Sequence, residues 1–135
     1  MTSPEGENAM TTNFESLAAR YVAHWNEPDA QARRAAIAAL WHEEAVHQSP
    51  SYDVRGHAGL EARVAGAYER WVRDAGKRFE LYGPIDGHHG AMRLRWSMRP
   101  AAGGPIEAVG FDLLVIGADG RIAADYQFSE PTPAS

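Results

Sequence analysis

The sequence predicts an α+β domain: three helices followed by a curved antiparallel meander that they cover on one face. Three observations carry this. Up to about Gly76, apolar residues recur every three or four positions. Beyond it they alternate with polar ones. Gly- and Pro-rich turns then divide the second half into short strands. The chain has 135 residues, enough for one domain with a core and a small cavity and too few for two ordinary ones.

Phe14, Leu17, Ala18, Tyr21, Val22 and Trp25 line one face of the first helix. Glu27-Pro28-Asp29 ends it and opens the second, because proline suits a first helical turn. Ile37, Leu40 and Trp41 form the stripe of the second helix, which is expected to run to about Glu44. A short extended piece from Ala45 to Ser49 stops at Pro50, and Tyr52 to Gly56 forms a loop or short strand. Leu60, Val64, Ala67, Tyr68, Trp71 and Val72 share a face of the third helix, which ends near Gly76. Phe79, Leu81 and Ile85 mark a strand broken by Gly83-Pro84, and Gly87 to Gly90 reads as a turn. Met92, Leu94, Trp96 and Met98 alternate with Arg93, Arg95, Ser97 and Arg99, which makes a half-buried strand. A turn over Pro100 to Pro105 leads to two last strands, Gly110 to Gly117 and Arg121 to Glu130, joined through Asp119-Gly120. Residues 1–12 are expected to be a disordered tail, 13–130 the single domain and 131–135 a short C-terminal tail. Helices closing over a curved sheet make a cone with an open mouth, a natural ligand cavity.

Composition narrows the function. There is no cysteine, so disulfides, thiol nucleophiles and thiolate metal sites are excluded. No apolar run approaches the roughly 18 residues that span a bilayer. The first twelve residues lack the basic start and apolar centre of a signal peptide, so a cytoplasmic location is expected. Net charge is −5 without a basic block, so neither nucleic acid nor an anionic membrane is expected as a partner. The most informative residue is Asp112, the one charge in an apolar strand. A buried carboxylate costs on the order of several kcal/mol unless it is paired, hydrogen-bonded or protonated.

The order of elements resembles the nuclear-transport-factor-2-like, or SnoaL-like, cone fold, a cystatin-like roll. Ala19-Arg20-Tyr21, Leu40 to Ala45, Val54-Arg55-Gly56, Gly83-Pro84-Ile85 and Asp112 followed by Gly120-Arg121-Ile122 carry the resemblance. It implies an antiparallel, partly mixed curved sheet packed on three N-terminal helices. The superfamily hosts isomerases, cyclases, epoxide hydrolases, dehydratases and non-catalytic binders, so fold alone does not settle function. Ketosteroid isomerase implies the most specific expectation. Tyr21 falls at the oxyanion-hole tyrosine and Asp112 at the protonated acid that donates beside it. Ser49, before Pro50, stands where the general base would be, which argues against steroid isomerisation.

Strand alternation indicates which side chains share a face with Asp112. Leu114 does, as do Leu94, Trp96 and Met98 on the preceding strand. Register by resemblance turns Asp125, Gln127 and Ser129 inward on the last strand. Asp125 and Gln127 are expected near a wet mouth, and the amide of Gln127 cannot replace the water-activating base of the epoxide hydrolases. His47 shares the face of Ser49 and is the expected substitute base, since a histidine titrates near neutral pH. Tyr21, His47 and Asp112 are therefore the candidate catalytic residues. Trp41, Trp96, Met98, Leu114, Asp125 and Gln127 are the candidate ligand contacts. No metal or cofactor is expected, because His42 and His47 lack a same-face helical spacing. On the outer face, Arg93, Arg95 and Arg99 lie among Phe111, Leu113, Val115 and Tyr126, and the resemblance implies a homodimer through that patch. The expected ligand is a small, largely apolar molecule, handled by isomerisation, cyclisation or related proton transfer. The alternative is a non-catalytic binding or accessory domain.

Overall fold

The computed structural model describes residues 13–133, so the tail expected over residues 1–12 lies outside the described residues, as do 134 and 135. Helix α1 (Phe14–Trp25) starts where the Asn13 side chain accepts the Ser16 N–H at 3.0 Å. It ends at Asn26, whose amide donates to the Phe79 carbonyl at 2.8 Å and accepts the Phe79 N–H at 2.9 Å. That double bond ties the helix end to strand β3 (Lys77–Leu81). Helix α2 (Ala30–Leu40) is capped by Asp29, which accepts the Ala32 N–H at 2.8 Å.

Strand β1 (Trp41–Gln48) begins directly after α2, so the helix expected to reach Glu44 stops four residues earlier. Glu43, Glu44 and Ala45 are good helix formers, but pairing with strand β7 (Ile122–Glu130) overrides that local preference. The β1–β7 pair is parallel and sets His47 opposite Asp125. Strand β2 (Asp53–Arg55) pairs antiparallel with β1, opposing Val54 to His47. Helix α3 (Gly56–Ala67) widens into a π-helical stretch over Tyr68–Asp74 and is followed by Gly76 at φ +69°. The chain passes through β3 to strand β4 (Asp86–His88), strand β5 (Ala91–Pro100) and strand β6 (Ala108–Ile116). The turn expected over Gly87–Gly90 is tighter than its composition suggests. Gly87 and His88 pair with Met92 and Ala91, leaving His89-Gly90 as the turn, with His89 at φ +51°.

The seven strands form one mixed, curved, unclosed sheet in the order β2-β1-β7-β6-β5-β3, with β4 paired to β5. Register shifts lie between Val115 and Ile116 and between Trp41 and Val46. Such bulges bend a sheet. The helices cover its concave face: Leu17, Tyr21, Ile37, Leu40, Leu60 and Val64 pack on Met92, Leu94, Leu114, Ile116 and Ile122. Each such side chain stabilises the fold by roughly 1.5–3 kcal/mol on burial.

The convex face is apolar, but its arginines are neutralised. Arg93 pairs with Asp86 at 3.1 Å, Arg95 with Glu130 at 2.9 Å and Arg99 with Glu80 at 2.9 Å. Of the apolar and cationic patch expected there, the cationic part is thus matched by carboxylates. What stays exposed is hydrocarbon: Phe128 at 55%, Val115 at 37% and Leu113 at 36%. Among the described residues, no helix is long and apolar enough to cross a membrane.

Candidate functional site

The site is assembled by register. The β5–β6 pairing sets Asp112 opposite Leu94, and the β6–β7 pairing sets it opposite Gln127, with Asp125 opposite Leu114. Adding His47 from β1 opposite Asp125 brings all these side chains to the concave face. Helix α1 lays Tyr21 over them.

Tyr21 Oη lies 3.0 Å from Asp112 Oδ2 and 2.5 Å from Asp125 Oδ2. His47 Nδ1 lies 2.9 Å from the same Asp125 oxygen, and the Trp96 indole N–H donates to Asp112 Oδ1 at 2.8 Å. Tyr21, His47, Asp112 and Asp125 are all buried. A phenol has one proton, so it cannot donate to both carboxylates. A neutral imidazole supplies one more. Three contacts meet two donors, so one aspartate carries a proton. If Asp112 holds it, every contact is satisfied: Asp112 donates to Tyr21 Oη, and Tyr21 and His47 both donate to the Asp125 carboxylate.

Electrostatics points to the same arrangement. Burial and then the neighbouring Asp125 push Asp112 well above the usual carboxylate range. Burial pushes Asp125 up only to about 6, so it is largely ionised at neutral pH. Burial, followed by repulsion from Arg63, lowers His47 to about 4, so the imidazole is neutral and the His47–Asp125 contact is a hydrogen bond to a carboxylate. Burial and then the two carboxylates raise the Tyr21 phenol well above its ordinary value. Asp125 was expected at a wet mouth. It is fully enclosed instead, because parallel pairing with β1 covers it.

A cavity of about 450 Å³ opens beside this network, within the ordinary range for small-molecule sites. Its wall includes Tyr21, Trp96, Met98 and Gln127, together with Trp25, Arg63, Trp71, Phe79 and Glu107. Three expected contacts, Trp41, Leu114 and Asp125, do not line it. Trp41 is fully buried against the rings of Tyr21, His24 and His47, and its indole N–H donates to His24 Nε2 at 3.3 Å. Leu114 is fully buried in the core. Asp112, Asp125 and His47 form a layer behind the wall rather than the wall itself. Ser49, at the position of the missing base, caps the β1–β2 turn: its Oγ accepts the Tyr52 N–H at 3.1 Å.

The SnoaL-like domain model matches residues 18–124. The chain belongs to the SnoaL-like family. A candidate isomerase of that family from Agrobacterium tumefaciens is 29% identical, with a TM-score of 0.79 over 86% of this chain and 96% of that one. A candidate polyketide cyclase from Sinorhizobium meliloti shares the fold at 15% identity and a TM-score of 0.62, covering 83% and 93% of the two chains. A cystatin-like-fold protein of unknown function from Methylobium petroleophilum aligns at 20% identity and 0.65, over 90% and 78%. No curated protein matches the chain.

Two residues of this SnoaL-like site were not singled out from the sequence. His24 is buried, bonds the Tyr21 carbonyl through Nδ1, accepts from Trp41 at Nε2, and is lowered by burial to about 4. Its spacing of three from Tyr21 was the available signal. Arg63 follows Gly59 and precedes Ala67 by four, which puts it on the cavity face of α3, yet an arginine there reads first as solvated. His47, Asp112 and Asp125 also offer ligand atoms within 4.8 Å of one another. A cation there would have to displace the Tyr21 and His47 protons that already meet Asp125 Oδ2, so the donor set fits proton sharing better than a metal.

Proposed function

We propose that this SnoaL-like domain binds a small, largely apolar, carbonyl-bearing molecule in the cavity and moves a proton on it, in an isomerisation, cyclisation or related reaction. The observation that supports this is Tyr21, a residue of the cavity wall whose hydroxyl bridges two buried carboxyls. A carbonyl oxygen arriving at Tyr21 would take its donated proton or hydrogen bond, with Asp112 and Trp96 supporting the phenol from behind. Asp125, enclosed behind the wall with His47, would exchange a proton with the ligand only through the Tyr21 hydroxyl that it contacts. A carboxyl near 6 is matched to work at neutral pH, better than an imidazole near 4.

Binding of the planar phenol 2-naphthol by equilibrium dialysis tests the donor role. Tyr21→Phe should weaken it about tenfold, the worth of one hydrogen bond at a closed site. Asp112→Asn keeps a donor toward Tyr21 and should weaken it less. Unchanged affinity in both variants excludes the role.

Binding without chemistry is the second reading. It is supported by the hydroxyl and carboxyls already satisfying one another and by the serine at position 49. Under either reading we propose a homodimer through the convex face, where Phe128, Val115 and Leu113 are exposed beside Phe111. Size-exclusion chromatography at micromolar concentration should give a dimer, and Phe128→Glu should give a monomer.

A further inference from the structure

One cation in the wall of this cavity has no carboxylate partner among the described residues. Arg63 lines the cavity from α3, with its guanidinium carbon 3.9 Å from the Tyr52 ring centroid and 5.3 Å from that of Trp25. Its Nε is enclosed and has no hydrogen-bond partner among the described residues. No carboxylate of the described residues pairs with it, whereas Arg93, Arg95 and Arg99 on the convex face each have one. Burial lowers its affinity for its proton, and Tyr52, Tyr21, Asp125 and Asp112 offset this only through space. Glu107, the carboxylate in the same wall, is held by Lys77 at 2.9 Å and is not available to neutralise Arg63.

A half-buried guanidinium without a counter-ion costs stability, and a protein gains by leaving it so mainly where an anion is to be bound. The two aromatic faces restrict the side chain before any ligand arrives, so little rotamer entropy remains to be lost on binding. Arginine presents a planar fork that matches a carboxylate. The remaining wall, from Trp25 through Trp71 and Phe79 to Trp96, is aromatic and suits a flat ring system.

We propose that Arg63 is the anion anchor of the cavity, and that the ligand is a flat apolar carboxylic acid whose carboxylate rests on Arg63 while its rings lie along the aromatic wall. This rests on the reading that the cavity binds a small molecule, and it names the ligand class. A phenol, which needs no anchor, still reports on Tyr21.

Isothermal titration of the full chain with 2-naphthoate and with its neutral analogue 2-naphthamide separates the two ideas. The acid should bind about tenfold or more tighter than the amide, as expected for a charge-assisted pair. Arg63→Gln should bind both equally, and Arg63→Lys should keep part of the preference. Equal binding of acid and amide by the wild type, or a preference for the acid that survives in Arg63→Gln, overturns the anchor and leaves the cavity reading standing. Binding of neither compound up to millimolar concentration overturns both. If Arg63→Gln does not fold, the wild-type comparison still decides.

Discussion

Gly110→Ala should unfold this domain at markedly lower denaturant, with a loss of about 3 kcal/mol, the sum of overpacking and of a buried acceptor losing its donor. Gly110 pairs with Trp96 across β5 and β6. A Cβ there would lie 2.2 Å from two carbons of the indole and 2.5 Å from its nitrogen. The indole cannot yield without cost. It packs edge-on against Phe79 at 5.5 Å and donates to Asp112 at 2.8 Å. Moving it leaves Asp112 Oδ1 without its donor and distorts the cavity wall. Urea unfolding measures the loss, and combining the substitution with Trp96→Leu checks the cause. In that background the added methyl has room, so Gly110→Ala should cost well under half as much. An equal cost in both backgrounds would locate the strain elsewhere.

Stability should fall as pH rises above about 6.5, and Asp112 should be responsible. Its pKa in the fold lies above the unfolded value, so its contribution is complete below about pH 4 and is lost as pH rises through the folded value. Asp125 acts with the same sign, but only up to about 6. His24 and His47 act oppositely. Both are lowered to about 4, so the stability tied to their neutral forms is complete above about pH 6.5 and is lost as pH falls toward 4. Between about pH 4 and 6 two rising and two falling contributions nearly cancel, and the profile is flat. Above that, the raised pKa of Asp112 is the one of these four whose contribution is still lost as pH rises. Urea midpoints at pH 4.5, 6 and 8 should therefore be similar for the first two and lower for the third. Asp112→Asn keeps the pattern of donors and acceptors, with its amide N–H toward Tyr21 and its amide oxygen accepting from Trp96. It should have equal midpoints at pH 6 and 8. A wild-type midpoint that does not drop between those values would mean that Asp112 is not held as the neutral acid.

The parts of the site that lie on one element were legible. Period-two alternation alone places Asp112 and Leu114 inward and Leu113 and Val115 outward, and the buried and exposed residues of β6 follow it. The helical spacing of α1 likewise turns Tyr21 toward the sheet. What failed was long-range. Trp41 belongs to a helix by composition, and only a hydrogen-bonding partner 81 residues later, Ile122, makes it the start of a strand. The meeting of His47 with Asp125, 78 residues apart, depends on a parallel register that no local pattern encodes. Arg63 could be assigned to a helix face, but not to a place between Trp25 and Tyr52.

The sequence by itself determined the α+β class, the order of helices and strands, the SnoaL-like resemblance and the inward aim of Tyr21 and Asp112. These follow from periodicities and turn residues that act within a few positions of the chain. Only the tertiary structure decided that the two aspartates meet one phenol, that Trp41 packs behind the site rather than in the cavity, and that Arg63 stands in the wall with no carboxylate partner among the described residues. Protonation and pairing depend on burial and on distances between side chains far apart in sequence, and those distances exist only once the sheet has closed beneath the helices.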